Sequence, residues 1–327
     1  MKQTDIKNGD LVEILNSTEL KNTLDENGCL DKLPFMPEMA KFCGKRFVVK
    51  KKFEQFCFDG ASLCGKESAI REFRNNDVYK LNNLRCSGHY HGNCKKGCTL
   101  FWKKAWMRKI NPDESQIGIT TIEDSEESRF WTAPTIQSSD PAEYLCQSSE
   151  LLRASCHLSL YQRLSKLVAS VRFGNASPLD IFQSSCRWAF WKAVYIIYGD
   201  YPRGNNESTP SESKKLKRGD WVRVKSLSEI RKTLNKNGRN RGLHFTSDMV
   251  SHCGKKYRVE SIADRFITEG TGQMRKMKNT VVLKNLVYDG IFYVFGGCYR
   301  EPLHLWREIW LEKLDGEKSD NESSSTI

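Results

Sequence analysis

The sequence predicts a mainly β protein with a helical middle, in which two β modules are joined by an α-helical segment. Three observations carry this expectation. Gly9-Asp10-Leu11-Val12 recurs as Gly219-Asp220-Trp221-Val222, and with the offset of 210 held, eight of the twenty residues from 9 to 28 are identical. The first repeat opens on the alternation Asp10-Leu11-Val12-Glu13-Ile14-Leu15, the period-two pattern of a half-buried strand. Between the repeats, Leu158, Leu160, Tyr161, Leu164, Leu167 and Val168 fall at three- and four-residue spacings, as on an amphipathic helix.

The match continues through Leu33, Phe35, Met39, Cys43, Gly44 and Lys45, opposite Leu243, Phe245, Met249, Cys253, Gly254 and Lys255. Trp102 and Trp106 then meet Trp306 and Trp310 at an offset of 204. A unit of this size can build its own core, so the repeat reads as a duplicated domain rather than a solenoid. Within the first copy, Ser17 to Leu24 predicts a short helix capped by Ser or Thr, and Asn27-Gly28 a turn. Strands follow at Arg46 to Val49 and Val78 to Leu84. Phe101 to Met107, with tryptophans four apart, predicts a helical turn.

Residues 112–138 are polar and acidic and read as a linker. From Asp140 the pattern turns helical, with a second helix from Leu179 to Tyr198 whose aromatic stripe is expected in the core. Gly204 to Ser213 reads as a flexible linker. The expected domain boundaries are a first module at 1–110, an acidic linker at 111–138, a helical segment at 139–200, a flexible linker at 201–215, a second module at 216–314 and a disordered tail at 315–327.

With 327 residues, 39% hydrophobic and 28% charged, the composition is that of a globular chain. The start carries no apolar leader core, and the longest apolar stretch, Trp188 to Tyr198, is short and interrupted by Lys192. The expectation is a cytoplasmic protein with no membrane partner. Twelve cysteines in such a chain point to thiols or metal ligands rather than disulfides. The net charge of +12 divides into +8 over residues 1–111, −5 over 112–213 and +9 over 214–327. Two basic modules can attract nucleic acid, an anionic ligand or an acidic protein partner. A lysine-rich solvated surface accounts for the same charge, and no arginine-rich run singles out nucleic acid.

The first copy carries Cys86, Cys94 and Cys98 with His89 and His91 among them, and Cys57 on an earlier loop. Gly88, Gly92 and Gly97 lie between these residues, as a chain wrapping round an ion requires. The second copy sets Ile267, Tyr288, Phe295 and Pro302 opposite Cys57, Cys86, His91 and Cys98, and keeps only Cys298 opposite Cys94. Joint loss is what relaxed selection on one site produces. Cys57, Cys86, Cys94 and Cys98 are therefore the expected four-thiolate set, with His91 as the substitute for Cys57. A structural zinc is favoured, with an iron–sulfur cluster and no metal left open. Cys43 and Cys253 read as buried scaffold thiols, and Cys146 has no ligand-like company in the sequence.

The order strand, long loop, Met-x-x-x-Cys-Gly-Lys-x-Phe/Tyr-x-Val (Met39 to Val49 and Met249 to Val259), strand, strand resembles small SH3-like barrels, including the mind-bomb type of repeat. The resemblance implies two SH3-like modules. The chain also resembles an uncharacterised family of bacterial tandem-repeat proteins, through Leu33-Pro34-Phe35-Met36-Pro37-Glu38-Met39, Phe42-Cys43-Gly44, Asn240-Arg241-Gly242-Leu243 and Trp306-Arg307-Glu308-Ile309-Trp310-Leu311. That family accompanies biosynthetic enzymes, which implies an accessory role and no particular reaction. Tyr288 departs from its pattern, where cysteine is expected.

No phosphate loop, His-Glu-x-x-His or Gly-x-Ser-x-Gly is present. A Cys–His nucleophile from Cys94 with His89 or His91 is weaker than their reading as ligands. Glu38 and Asp248 keep a carboxylate at one position of both repeats, which a cap or salt bridge explains. The sequence reading is a non-enzymatic, metal-stapled tandem binding or scaffold protein. Its alternatives are a nucleic-acid-binding protein and a cysteine-dependent or iron–sulfur enzyme.

Overall fold

The computed structural model describes residues 5–58, 70–110, 131–139, 142–174, 176–198, 202–288 and 300–314. The protein is mainly β, with a half-barrel sheet. It divides into two compact units, and the division does not follow the sequence order expected from the repeats. Unit one takes its described residues from Met1–Lys192, Arg265–Arg275 and Asp289–Pro302, and unit two from Ala193–Asp264, Lys276–Tyr288 and Leu303–Ile327.

Unit one runs through β1 (Leu11–Ile14), α1 (Ser17–Lys21), β2 (Cys29–Leu30), β3 (Leu33–Pro34), a 3-10 turn (Pro37–Phe42), β4 (Arg46–Lys52), β5 (Phe56–Cys57), β6 (Ile70–Phe73) and β7 (Val78–Leu81). It continues with β8 (Trp102–Lys103), a 3-10 turn (Lys104–Trp106) and β9 (Met107–Lys109). The main sheet is antiparallel in the order β8-β7-β4-β1-β9. The alternation read in the sequence sends Val12 and Ile14 inward, both fully buried. Helix α1 is capped by Asn16 rather than by a Ser or Thr. Its side chain accepts from the Glu19 N–H at 2.9 Å, and Glu19 accepts from the Asn16 N–H at 3.1 Å, a reciprocal capping box.

The stretch from Phe101 to Met107 is strand, 3-10 turn, strand, not the helical turn expected. The corner between β8 and β9 puts Trp102 and Trp106 on the inner side together, both fully buried. Phe35 meets their edges at centroid distances of 6.2 and 5.2 Å. Such edge-to-face contacts add to the burial of large apolar rings.

The middle segment carries β10 (Ile136–Ser139), β11 (Ala142–Tyr144), β12 (Ser155–His157), α2 (Leu160–Arg172) and α3 (Pro178–Tyr198). Helix was expected from Asp140. Instead, β12 pairs with β6, which pairs with β5, because the open edge of β6 needs a partner for its backbone. Leu145, Leu151, Ala154 and Leu158 are buried. The aromatic stripe of α3 is not core: Leu179, Phe182 and Phe190 are 62%, 66% and 62% exposed. Apolar residues lie on every side of this helix, so packing one face leaves others in solvent. Among the described residues no helix is long and apolar enough to cross a membrane.

Unit two has β13 (Trp221–Val224), α4 (Leu227–Arg231), β14 (Arg239–Asn240), β15 (Leu243–His244), a 3-10 turn (Ser247–His252) and β16 (Lys256–Ile262). After the excursion that carries β17 (Arg265–Ile267) and β18 (Met274–Lys276) come β19 (Thr280–Val287), β20 (Leu303–Arg307), a 3-10 turn (Glu308–Trp310) and β21 (Leu311–Lys313). The sheet order is β20-β19-β16-β13-β21. Phe245 meets Trp306 and Trp310 edge-on at 6.2 and 5.2 Å.

The segment expected as a flexible linker at 201–215 is tied down. Gly204 N–H donates to Asn235 O, Asn206 Nδ2 to Lys232 O, Arg241 N–H to Thr209 Oγ1, and Lys214 N–H to Glu308. Several of its residues serve as partners for the chain from 232 to 241 and for Glu308, while others remain exposed. The expected tail from 315 and most of the acidic linker lie outside the described residues.

Trp310 is fully buried and its Nε1 donates to Thr233 Oγ1 at 3.0 Å, whereas Trp221 is 37% exposed. Trp310→Ala is expected to cost about 3–5 kcal/mol. Trp221→Ala should stay within about 0.5 kcal/mol of the parent. Urea unfolding followed by circular dichroism distinguishes them, and equal losses would contradict this core.

Candidate metal centre

The loop from Arg85 to Leu100 closes on itself. Arg85 bridges Thr99, the Cys86 N–H donates to Cys98 O at 2.8 Å, and the Leu100 N–H donates to Leu84 O at 3.2 Å. Glycine is required inside it at one point above all. Gly88 has φ +72°, and a Cβ there would stand 1.9 Å from the Cys94 carbonyl oxygen, so no side chain fits. The 3-10 turn after β3, with Pro37 at its start, presents Glu38 to this loop and leaves it 2% exposed.

Glu38, Cys86 and His91 offer donor atoms that all lie within 4.8 Å of one another, the one such group among the described residues. Cys86 Sγ is 3.1 Å from His91 Nε2, and His91 Nδ1 is 3.9 Å from Glu38 Oε2. Both carboxylate oxygens of Glu38 and Nδ1 of His91 are buried without a hydrogen-bond partner. Buried polar atoms of this kind are costly unless something satisfies them. The cavity beside them is also lined by Cys94, Cys98 and Cys146, and admits the centre of a water-sized sphere over about 20 Å³. That is room for one water or one ion.

Burial first, then the Glu38 carboxylate, pushes the Cys86 thiol well above its ordinary range. Burial raises the Cys98 thiol and pushes the Cys146 thiol up to about 12. Burial also holds the His91 imidazole below its usual value, against the opposing pull of Glu38. A nucleophilic cysteine is activated by a lowered pKa, and burial works against that at Cys86. The arrangement suits a cation, which displaces the thiol proton on binding and takes a neutral imidazole directly. With Zn–S near 2.3 Å and Zn–N near 2.0 Å, a tetrahedral ion sets sulfur and nitrogen roughly 3.5 Å apart, close to the separation of Cys86 and His91.

Of the residues singled out in the sequence, the structure brings Cys86, His91, Cys94 and Cys98 to one cavity. Cys57 is buried in β5 opposite Ile70 and does not line it. His89 is exposed and packs edge-on against Tyr90 at 5.3 Å. Cys298 and Phe295, set opposite Cys94 and His91, lie outside the described residues. Glu38 was read as a cap or salt bridge; its Oε2 stands 3.9 Å from His91 Nδ1, an ion pair only when the imidazole is protonated. Its recurrence as Asp248 was the available signal. In unit two Asp248 sits 2.7 Å from His304 Nε2, and Tyr288, opposite Cys86, packs edge-on against His304. Ile267 does not fill a vacated site in unit two: it belongs to unit one and lines the cavity.

Glu269 lies beside this loop, 1% exposed at its side chain, and accepts from Lys96 at 2.7 Å and from Arg300 at 3.1 Å. Burial alone raises its carboxyl pKa, but Arg300 and Lys96 override this and hold it below the ordinary carboxylate range. A carboxyl lowered by folding contributes stability that is complete above its unfolded value, about 4.3. That stability is lost as pH falls towards the folded value. The urea midpoint of the parent is therefore expected to drop between about pH 5 and about pH 3, and more shallowly in Glu269→Gln. Parallel pH profiles would contradict the assignment.

Compared with protein-family models, curated proteins and solved structures, the chain matches none.

Proposed function

We propose that this chain is a non-enzymatic tandem SH3-like binding or scaffold protein whose first module is stapled by a zinc ion. Cys86 and His91 Nε2 supply two ligands, and Cys94 and Cys98, which line the same cavity outside the Glu38–Cys86–His91 group, turn towards the ion to close the shell. Glu38 stands behind the His91 ring, its Oε2 3.9 Å from Nδ1 and not hydrogen-bonded to it, where a carboxylate would orient the imidazole once the ion is bound. The observation that carries this reading is the buried Glu38–Cys86–His91 group, whose unpartnered polar atoms face room for one ion. A closed shell leaves no position for substrate, so the ion acts on folding rather than on chemistry.

The duplicated-module part of the reading is supported by the equal strand orders of the two five-stranded sheets, and by the aromatic triads with matching edge-on distances. The bound partner is a protein or an anionic ligand, and the basic charge of both repeats suits either.

The test is metal content and visible absorption of protein purified without oxygen. About one zinc per chain and no colour are expected, lost in Cys86→Ser and kept in Cys57→Ser. Chelation should lower the unfolding free energy of the parent by about 2.7 kcal/mol or more if the ion is held at a hundredfold excess over its Kd. Iron with sulfide-type absorption would replace the staple with a redox centre, and metal-free protein would end the proposal.

A further inference from the structure

The cysteine loop is held by residues far along the chain. The Ile267 N–H points at Cys94 Sγ at 3.4 Å, and the Lys95 N–H donates to Arg265 O at 3.0 Å. Lys96 Nζ reaches Glu269 at 2.7 Å. Thr99 Oγ1 donates to Arg300 O at 2.7 Å, across a sequence separation of 201. Arg300 in turn donates to Glu269 at 3.1 Å and to Cys57 O at 2.8 Å. Ser148 Oγ, beside Cys146, donates to Glu269 at 3.4 Å. Cys94 and the residues between it and Cys98 and just after are therefore gripped by one late segment pair, all of it within unit one.

We infer that Arg265–Glu269 and Arg300 form a clasp over the metal centre, in which the Ile267 N–H and the Lys96–Glu269–Arg300 ion cluster position the Cys94 and Cys98 thiolates. This rests on the metal-centre reading above. Two physical arguments carry it. An N–H aimed at sulfur is worth more when the sulfur is charged, and it restricts the direction in which the thiolate can point. Lys96 and Arg300 also place cationic groups beside the loop, where they favour thiolates over thiols. The role sequence reasoning gave to Cys57 thus shrinks to its carbonyl oxygen, which receives Arg300.

The experiment uses the full chain. Zinc affinity is measured by competition with a chromophoric chelator for the parent, Glu269→Gln, Lys96→Met and Lys96→Arg, with circular dichroism to verify folding. The cobalt(II)-substituted proteins are compared by absorption. Glu269→Gln and Lys96→Met are expected to bind zinc 10–100-fold more weakly and to shift the thiolate-to-cobalt band. Lys96→Arg, which keeps a cation for Glu269, should restore both. Lys96 is partly exposed, so its variants keep the test available if Glu269→Gln does not fold. Parent-like affinity and spectra in both weakening variants would overturn the clasp and leave the metal centre standing. A parent that binds no zinc would overturn both.

Discussion

Phe35, Trp102 and Trp106 form the contact on which the rest of unit one depends. Three large rings meeting edge to face, two of them on either side of a strand corner, fix where β8 ends and β9 begins. That corner sets the far end of the Arg85–Leu100 loop. It also holds β3, from which the chain turns into the 3-10 segment that carries Glu38. The candidate metal centre is thus built on the back of an aromatic core. The donors come from a loop and a turn that each leave the same packed corner, which is how irregular backbone acquires the precision a ligand set needs.

The same carboxylate is housed differently in the two units. Glu38 faces an imidazole from the cysteine loop at 3.9 Å, while Asp248 faces His304, on β20, at 2.7 Å. Both units pair a buried carboxylate with a histidine, but the histidine comes from another place in the chain. In unit two the pair meets at ion-pair distance. In unit one it leaves polar atoms open towards a cavity rich in thiols.

What the sequence made legible was local or repeated. The alternation of β1, the positive-φ glycines of the cysteine loop, and the grouping of Cys86, His91, Cys94 and Cys98 all lie within short windows. Glu38 was visible only as a recurring carboxylate, since acidic residues are so rarely buried that a cap was the cheaper account. Cys146 gave no spacing signal because its company is spatial. Ile267, Glu269 and Arg300 act across separations of 173 residues and more, and no periodicity records such contacts. Cys57 was drawn into the set by its residue type, and its place in a paired strand directs only its carbonyl to the neighbourhood of the loop. The middle segment misled because leucines at helical spacing also serve an irregular stretch that ends in an edge strand.

The discontinuous make-up of unit one has a consequence in time. A ribosome adds about 5–20 residues per second, so roughly 10–40 s pass between the emergence of Cys98 and that of Arg300. Throughout that interval the thiols have their own sheet but not the backbone and charges that hold them. The nascent chain must therefore carry these cysteines without their later contacts until Arg300 has emerged. Contacts of such high sequence separation also fold slowly. Oxidation of the thiols thus competes, during synthesis, with the arrival of Arg265–Glu269 and Arg300.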